Sequence, residues 1–165
     1  MNYKYCPYCK ENLIFHKEYY KCKKCKKIIY LNSSPTGSIV PIKGNDFMLS
    51  RRAIEPKKGY YDVIGGFLNY GEHPEKGALR EFREETDIKI KMIKQIGIYI
   101  DKSYEFQGEK TVSLNIVYLA KIIGGEEIPK DDIDELIWFP IEKPPKNLAF
   151  PWMENLMKDL RKFKR

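Results

Sequence analysis

The 165-residue sequence has no run of about 18 uncharged apolar residues, the length a membrane-spanning helix requires. Met1 to Cys9 lack the apolar stretch of a secretory signal, so the chain is expected to be cytoplasmic. Internal repeats are missing, and so are low-complexity tracts apart from a lysine bias near the start. Cysteine is limited to Cys6, Cys9, Cys22 and Cys25, which leaves no material for disulfides beyond the first segment. Histidine is scarcer still, with only His16 and His73, and neither is needed as a ligand. At 42% hydrophobic residues the chain can bury one full-sized core plus a satellite module too small to be held by burial alone.

Charge is unevenly placed. The formal net charge is +7, and lysines crowd the first thirty residues at Lys4, Lys10, Lys17, Lys21, Lys23, Lys24, Lys26 and Lys27. Two readings stay open: a solvated lysine surface, or a patch that attracts polyanions such as nucleotides or nucleic acid. Within the same segment the cysteines form two Cys-x-x-Cys units separated by twelve residues. In an unexported chain such paired units point to metal rather than disulfides. Four thiolates suit a closed tetrahedral zinc shell, with rubredoxin-like iron as the other metal that fits.

Asn32-Ser33-Ser34-Pro35 reads as a linker, dividing the chain into residues 1–33 and 34–165. After it, Gly37–Ile42 and Phe47–Ala53 are β-prone runs around the turn Lys43-Gly44-Asn45-Asp46. A strand over Tyr60–Ile64 is expected to stop at Gly65-Gly66. A helix is expected over Pro74–Thr86, with Ala78, Leu79, Phe82 and Thr86 on one side. Ile90–Ile100, Thr111–Ile123 and Leu136–Phe139 read as further strands. The acidic run Glu126, Glu127, Asp131, Asp132, Asp134 and Glu135 reads as a loop. From Pro151 onward, Trp152, Met153, Leu156, Met157, Leu160 and Phe163 recur at helical spacing, a packing stripe that closes the domain. The order of elements implies an α/β (α+β) domain around a mixed sheet.

The stretch from Gly65 to Ile88 carries the chemistry. Three and four residues apart on one helix, Glu81, Glu84 and Glu85 form an acidic cluster angularly separate from the apolar face. By itself such a cluster is more often a solvated surface. If functional, it calls for a hard divalent ion, and magnesium suits it because it takes one or two carboxylates while keeping waters and substrate phosphates. Arg80 can pair with Glu84, and Glu72 can fold back on Arg80 at the helix start. Gly65, Gly66 and Gly71 let backbone approach a metal or phosphate closely.

In register, Gly66, Glu72, Arg80, Glu81, Phe82, Glu84, Glu85 and Ile88 resemble the Nudix box, G-x5-E-x7-R-E-U-x-E-E-x-G-U with U apolar. One defined position departs: Asp87 stands where glycine is usual, and a left-handed backbone is expected there. The resemblance implies a Nudix α/β/α sandwich whose Glu81, Glu84 and Glu85, with the Gly65 carbonyl, hold Mg2+ or Mn2+. Gly66, Glu72 and Arg80 would support them. It implies attack of water on a diphosphate, with the base among Glu84, Asp134 and Glu135, and with Arg51 and Arg52 holding phosphate. Tyr60, Tyr61, Phe67 and Tyr99 are aromatic candidates for a nucleobase, each equally at home in a core.

The cysteine module resembles the zinc ribbon that precedes the Nudix domain in NADH pyrophosphatases and ADP-ribose pyrophosphatase-like proteins. The Ser-Gln-Pro-Trp-Pro-Phe-Pro motif of the NADH branch is absent, and Phe150-Pro151-Trp152 lies too late to replace it. NADH is therefore not the principal substrate expected, and the reading is a small nucleoside-diphosphate-linked compound, such as ADP-ribose, a nucleotide sugar or a dinucleotide like NADH or FAD. The alternatives are a nucleoside triphosphate or RNA-cap pyrophosphohydrolase, or a non-catalytic regulator that senses a nucleotide and binds nucleic acid. Homodimerisation is left open.

Overall fold

The computed structural model describes residues 3–106 and 108–163; residues 1, 2, 107, 164 and 165 lie outside the described set. The chain forms two compact units, Met1–Ser33 and Ser34–Arg165. Among the described residues no helix is long and apolar enough to cross a membrane.

The first unit is an antiparallel three-stranded sheet of β1 (Leu13–His16), β2 (Tyr19–Cys22) and β3 (Ile28–Tyr30), in that order. Its interior is small: Cys6, Cys22 and Tyr20 are its buried side chains of apolar type.

The second unit runs β4 (Ser34–Lys43), β5 (Asp46–Arg52), β6 (Tyr61–Asp62), β7 (Ile64–Phe67), α1 (Pro74–Glu85), β8 (Thr86–Asp101), β9 (Glu105–Phe106), β10 (Glu109–Lys110), β11 (Ser113–Pro129), β12 (Ile133–Pro140) and α2 (Met153–Lys162). Strands β9 and β10 form a separate hairpin. The main sheet is ordered β12-β5-β4-β11-β8, with β6 on β5 and β7 on β4. It is mixed, because β4 and β11 are parallel while the other pairings are antiparallel.

Alternation along the strands builds two cores. Val40, Phe47, Leu49, Val117 and Leu119 join Trp152, Met153, Leu156, Met157 and Leu160 of α2. Their immediate neighbours Ile39, Met48, Ile116, Tyr118 and Ala120 join Ala78 and Phe82 of α1. Each face of the sheet is thus covered by one helix, which is why Phe47, Met48 and Leu49 of β5 are apolar in succession rather than alternating with polar residues. The expected α/β/α sandwich is what forms.

Proline is normally kept out of central strands, yet Pro41 lies in β4 between two neighbours. It falls where β4 changes partners: Thr36–Ile39 pair with β7 and Ile42–Lys43 with β5. The sheet is split at this point.

Three local expectations change. The single strand expected over Tyr60–Ile64 is divided into β6, on β5, and β7, on β4, and the glycines do not end it: Gly65 pairs with Ser38 and Gly66 with Gly37 inside β7. The acidic run is mostly strand, with Glu126 and Glu127 in β11 and Asp134 and Glu135 in β12. Finally, α1 stops at Glu85 because Thr86 is already extended, with φ −144° and ψ 160°, its hydroxyl donating to the Phe82 carbonyl at 2.7 Å. Helix passes straight into strand, so Asp87 belongs to β8, has no positive φ, and pairs with Lys130. The left-handed turn that glycine would serve does not occur.

Candidate active site

Helix α1 starts from His73, whose Nδ1 accepts from the Glu75 N–H at 3.3 Å, with Pro74 in the first turn. Its polar side then presents Arg80 to a ring of acceptors. Arg80 Nε and Nη2 donate to the two oxygens of Glu72 at 2.9 and 2.8 Å. Nη1 reaches Glu81 at 2.6 Å and Glu84 at 3.0 Å, and Nη2 also reaches the Phe67 carbonyl at 3.2 Å. Glu72 in turn accepts from the Asn69 N–H at 2.9 Å, which ties the loop to the helix. The Arg80 guanidinium hydrogen-bonded to Glu72 holds that carboxyl down at about 2.

A cleft of about 390 Å³ opens beside this network, and Glu81, Glu85, Gly65 and Gly66 line it. Glu85 is 8% exposed and accepts from the Gly65 N–H at 3.0 Å. Burial, and next the charge of Glu81, push its carboxyl up to about 8. Burial also raises Glu81, against the pull of Arg80. The glycines matter by what they leave out. A Cβ at Gly66 would stand 2.6 Å from Glu81 Oε2, and one at Gly65, where φ is +149°, would stand 2.3 Å from the Gly37 carbonyl oxygen.

The three glutamates are not gathered into one knot. Among the described residues only the four cysteines bring three or more ligand atoms within 4.8 Å of one another. Glu84 is exposed, held by Arg80, and does not line the cleft. Two buried or half-buried carboxylates beside an open cleft still fit magnesium, which completes its octahedron with water and phosphate oxygens. Burial raises both carboxyls, Glu81 even against its pair with Arg80, and a divalent cation would offset that cost.

The two arginines of β5 separate. Arg52 lines the cleft and pairs with Asp62 at 3.0 Å, both largely buried. Arg51, one residue away and thus on the other side of the strand, lies outside it. It pairs with Asp134 at 2.8 Å and Glu135 at 2.9 Å across the β5–β12 ladder, and neither acid lines the cleft. From the acidic run only Asp132 does.

Several cleft residues carry no signal in the sequence. Asp62 is buried, and desolvation lifts its carboxyl to about 6 against the opposing charge of Arg52. Thr36 Oγ1 donates to Asn115 Oδ1 at 2.9 Å, and Asn115 Nδ2 donates to the Ser113 hydroxyl at 2.9 Å and the Tyr99 carbonyl at 3.2 Å. Asp101 accepts from Ser103 through Oδ1, while its buried Oδ2 has no partner among the described residues. Of the aromatic candidates only Phe67 lines the cleft, 41% exposed, joined by Tyr104, Phe150 and Trp152. Tyr104 packs edge-on to Phe67 at 5.6 Å and against Phe150 at 5.6 Å. Tyr99 is buried, stacked on Trp152 and donating to Asp159; Tyr61 packs on Phe139 and Tyr60 is exposed. The register of β8 and the return of the chain before α2 bring these residues in, and no spacing pattern could have marked them.

In the first unit, Cys6 and Cys25 sulfurs are 3.7 Å apart and those of Cys9 and Cys22 3.4 Å. These separations exceed a disulfide bond and approach the roughly 3.8 Å edge of a tetrahedral zinc–thiolate site. The four can hold a metal ion.

A profile of the NUDIX domain matches residues 34–160. The chain belongs to the NUDIX family. It is 31% identical over 151 residues to an ADP-ribose pyrophosphatase of Methanocaldococcus jannaschii, covering 91% of this chain and 86% of that protein. It is 28% identical to the NAD-capped RNA hydrolase NudC of Vibrio atlanticus over 96% of its own length but 59% of the relative's. A crystal structure of a NUDIX hydrolase from Nitrosomonas europaea superposes with a TM-score of 0.74 at 22% identity, covering 98% of this chain and 94% of that one. As a NUDIX chain with such relatives it is a pyrophosphohydrolase.

Proposed function

We propose that this NUDIX enzyme hydrolyses the diphosphate of a small nucleoside-diphosphate-linked compound, with ADP-ribose the first candidate. The observation that carries the reading is the sharing of one cleft by Glu81, Glu85 and Arg52 with an aromatic wall of Phe67, Tyr104 and Phe150. Acids for a divalent ion, a cation for phosphate and rings for a base are the three demands of such a substrate. A relative of which the chain covers 86%, from Methanocaldococcus jannaschii, bears the name of that activity.

Glu81 and Glu85 would hold Mg2+ or Mn2+, which neutralises diphosphate charge and makes a bound water more acidic. Arg52, fixed by Asp62 and by the Pro56 carbonyl at 2.7 Å, would hold a phosphate oxygen. Water adds to one phosphorus, the bond to the bridging oxygen breaks, and two phosphate-bearing products leave. For the base we favour Asp132, the member of the acidic run that lines the cleft, over Glu84, Asp134 and Glu135. Cys6, Cys9, Cys22 and Cys25 hold a structural zinc ion.

Product analysis tests the reading. ADP-ribose, NADH, FAD, nucleotide sugars, nucleoside triphosphates and NAD-capped RNA are each incubated with the enzyme and magnesium or manganese. AMP and ribose phosphate from ADP-ribose, lost in Glu85→Gln, is the expected result. Preferential release of the cap from RNA would move the substrate to that class, and no cleavage of any compound would overturn the hydrolase.

A further inference from the structure

Register sorts the side chains of the small sheet in the first unit. Ile14, Lys21 and Ile28 face one another across β1, β2 and β3, and His16, Tyr19 and Tyr30 form the next row of the same face. Buried Tyr20 and Cys22 belong to the opposite face. The first face is open: Tyr30 is 64% exposed, Ile14 and Ile28 more than 40%, and His16 and Lys21 are exposed as well. Its aromatic row is ordered, with the His16 and Tyr19 rings stacked at 4.9 Å and 16°, and Tyr19 and Tyr30 at 6.0 Å.

Charge points the same way. Residues 1–33 hold eight lysines against Glu11 and Glu18, a formal +6 out of the chain's +7, or +4 out of +5 with four thiolates around one zinc ion, so the NUDIX domain is nearly neutral and the sheet unit carries the field. Cations and rings are also combined elsewhere on this unit, Lys27 lying 3.8 Å over the Tyr8 ring. A hydrophobic protein partner would select against so many charges at the contact. A double helix would leave the rings unused, since its bases are already stacked. A single strand uses both features: unpaired bases stack on exposed rings whatever their identity, and lysines track the phosphates.

We propose that this face of the cysteine module binds single-stranded nucleic acid, Tyr30, Tyr19 and His16 stacking on unpaired bases and Lys21 with its neighbouring lysines holding the backbone. The proposal does not rest on the hydrolase reading and concerns a surface that the cleft does not use.

The test is fluorescence anisotropy with the full zinc-loaded chain, using labelled oligouridylate and oligothymidylate of about 12 nucleotides, a duplex of the same length, and polyphosphate as competitor. We expect single strands to bind more tightly than the duplex. Tyr30→Ala and His16→Ala should each weaken binding about 10-fold, Tyr30→Phe should keep it, and Lys21→Gln should lower the salt slope by about one. Zinc content and ADP-ribose hydrolysis of Tyr30→Ala should equal those of the parent. If Tyr30→Ala loses zinc, Tyr30→Phe and Lys21→Gln decide. Equal binding of duplex and single strand with no effect of the ring variants would reduce the surface to plain charge and overturn the proposal. So would an absence of binding at low salt, or a dimer that Tyr30→Ala dissolves, which would assign the face to a second copy.

Discussion

Glu85 sits where a carboxylate is costly, 8% exposed and beside Glu81, and its carboxyl is raised to about 8. An unfolded glutamate titrates near ~4.3, so between these values the folded chain binds the extra proton. Stability from this group is therefore present below the unfolded value and lost as pH rises through about 8. We expect the melting temperature without divalent ions to fall over that window, and magnesium or manganese to restore it more at pH 8 than at pH 6. Thermal unfolding with and without the ions checks this, and a flat profile would show that Glu85 is not strained by burial. Glu85→Gln should lessen the fall between pH 6 and 8, leaving the part below about 6 to which Asp62 contributes, while lowering kcat by about 100-fold or more. Arg80 and Arg51 make the complementary comparison. Arg80→Ala removes the clamp on Glu72, Glu81 and Glu84 and should cost about 10- to 100-fold in activity. Arg51→Ala breaks only exposed pairs and should leave steady-state rates unchanged.

The strand β7 and helix α1 meet through two adjacent glycines with different tasks. A methyl group at Gly65 would run into the backbone of Gly37 and Ser38 at a φ that other residues avoid. Gly65→Ala is expected to lose ~2 kcal/mol or more of stability, read by urea denaturation. At Gly66 the atoms nearest the methyl are those of the Glu81 carboxylate, the far end of a side chain rather than backbone. Gly66→Ala should fold with near-parental stability yet lose activity, because Glu81 must leave its place. Equal stability losses in the two variants would show that Gly66, too, is required by the backbone. The sequence marks both residues as a strand end whose backbone can approach a metal or phosphate, with the Gly65 carbonyl as a candidate ligand and Gly66 in support. That β7 continues through them follows from pairing with β4, a contact some thirty residues distant that period and propensity do not carry.

At the scale of the whole molecule the two units are stabilised differently. The NUDIX domain has two apolar cores, one on each face of its sheet. The first unit buries little beyond Cys6, Tyr20 and Cys22, so its fold is expected to draw on metal ligation by its four cysteines. One zinc per chain is expected by colorimetric release. Chelation at neutral pH should erase dispersed amide resonances of residues 3–33 while those of residues 34–163 persist. Retention of the dispersed signals after zinc removal would show that the sheet stands by itself.

Much of the architecture was legible because it is local. The Cys-x-x-Cys pairs, the spacing of Glu72, Arg80, Glu81 and Glu85, the period of α2 and the apolar run of β5 are each set by neighbours in the chain. The expectation of a left-handed residue at Asp87 failed because Thr86 is captured by β8, so the helix needs no turn to end. Only tertiary structure decided that Arg52 lines the cleft and Arg51 does not, that Asp132 enters while Asp134 and Glu135 are tied up, and that Asp62, Asp101, Tyr104 and Phe150 complete the site. The physical reason is sheet register: a one-residue step moves a side chain to the opposite face, and register is fixed by pairing between strands far apart in sequence.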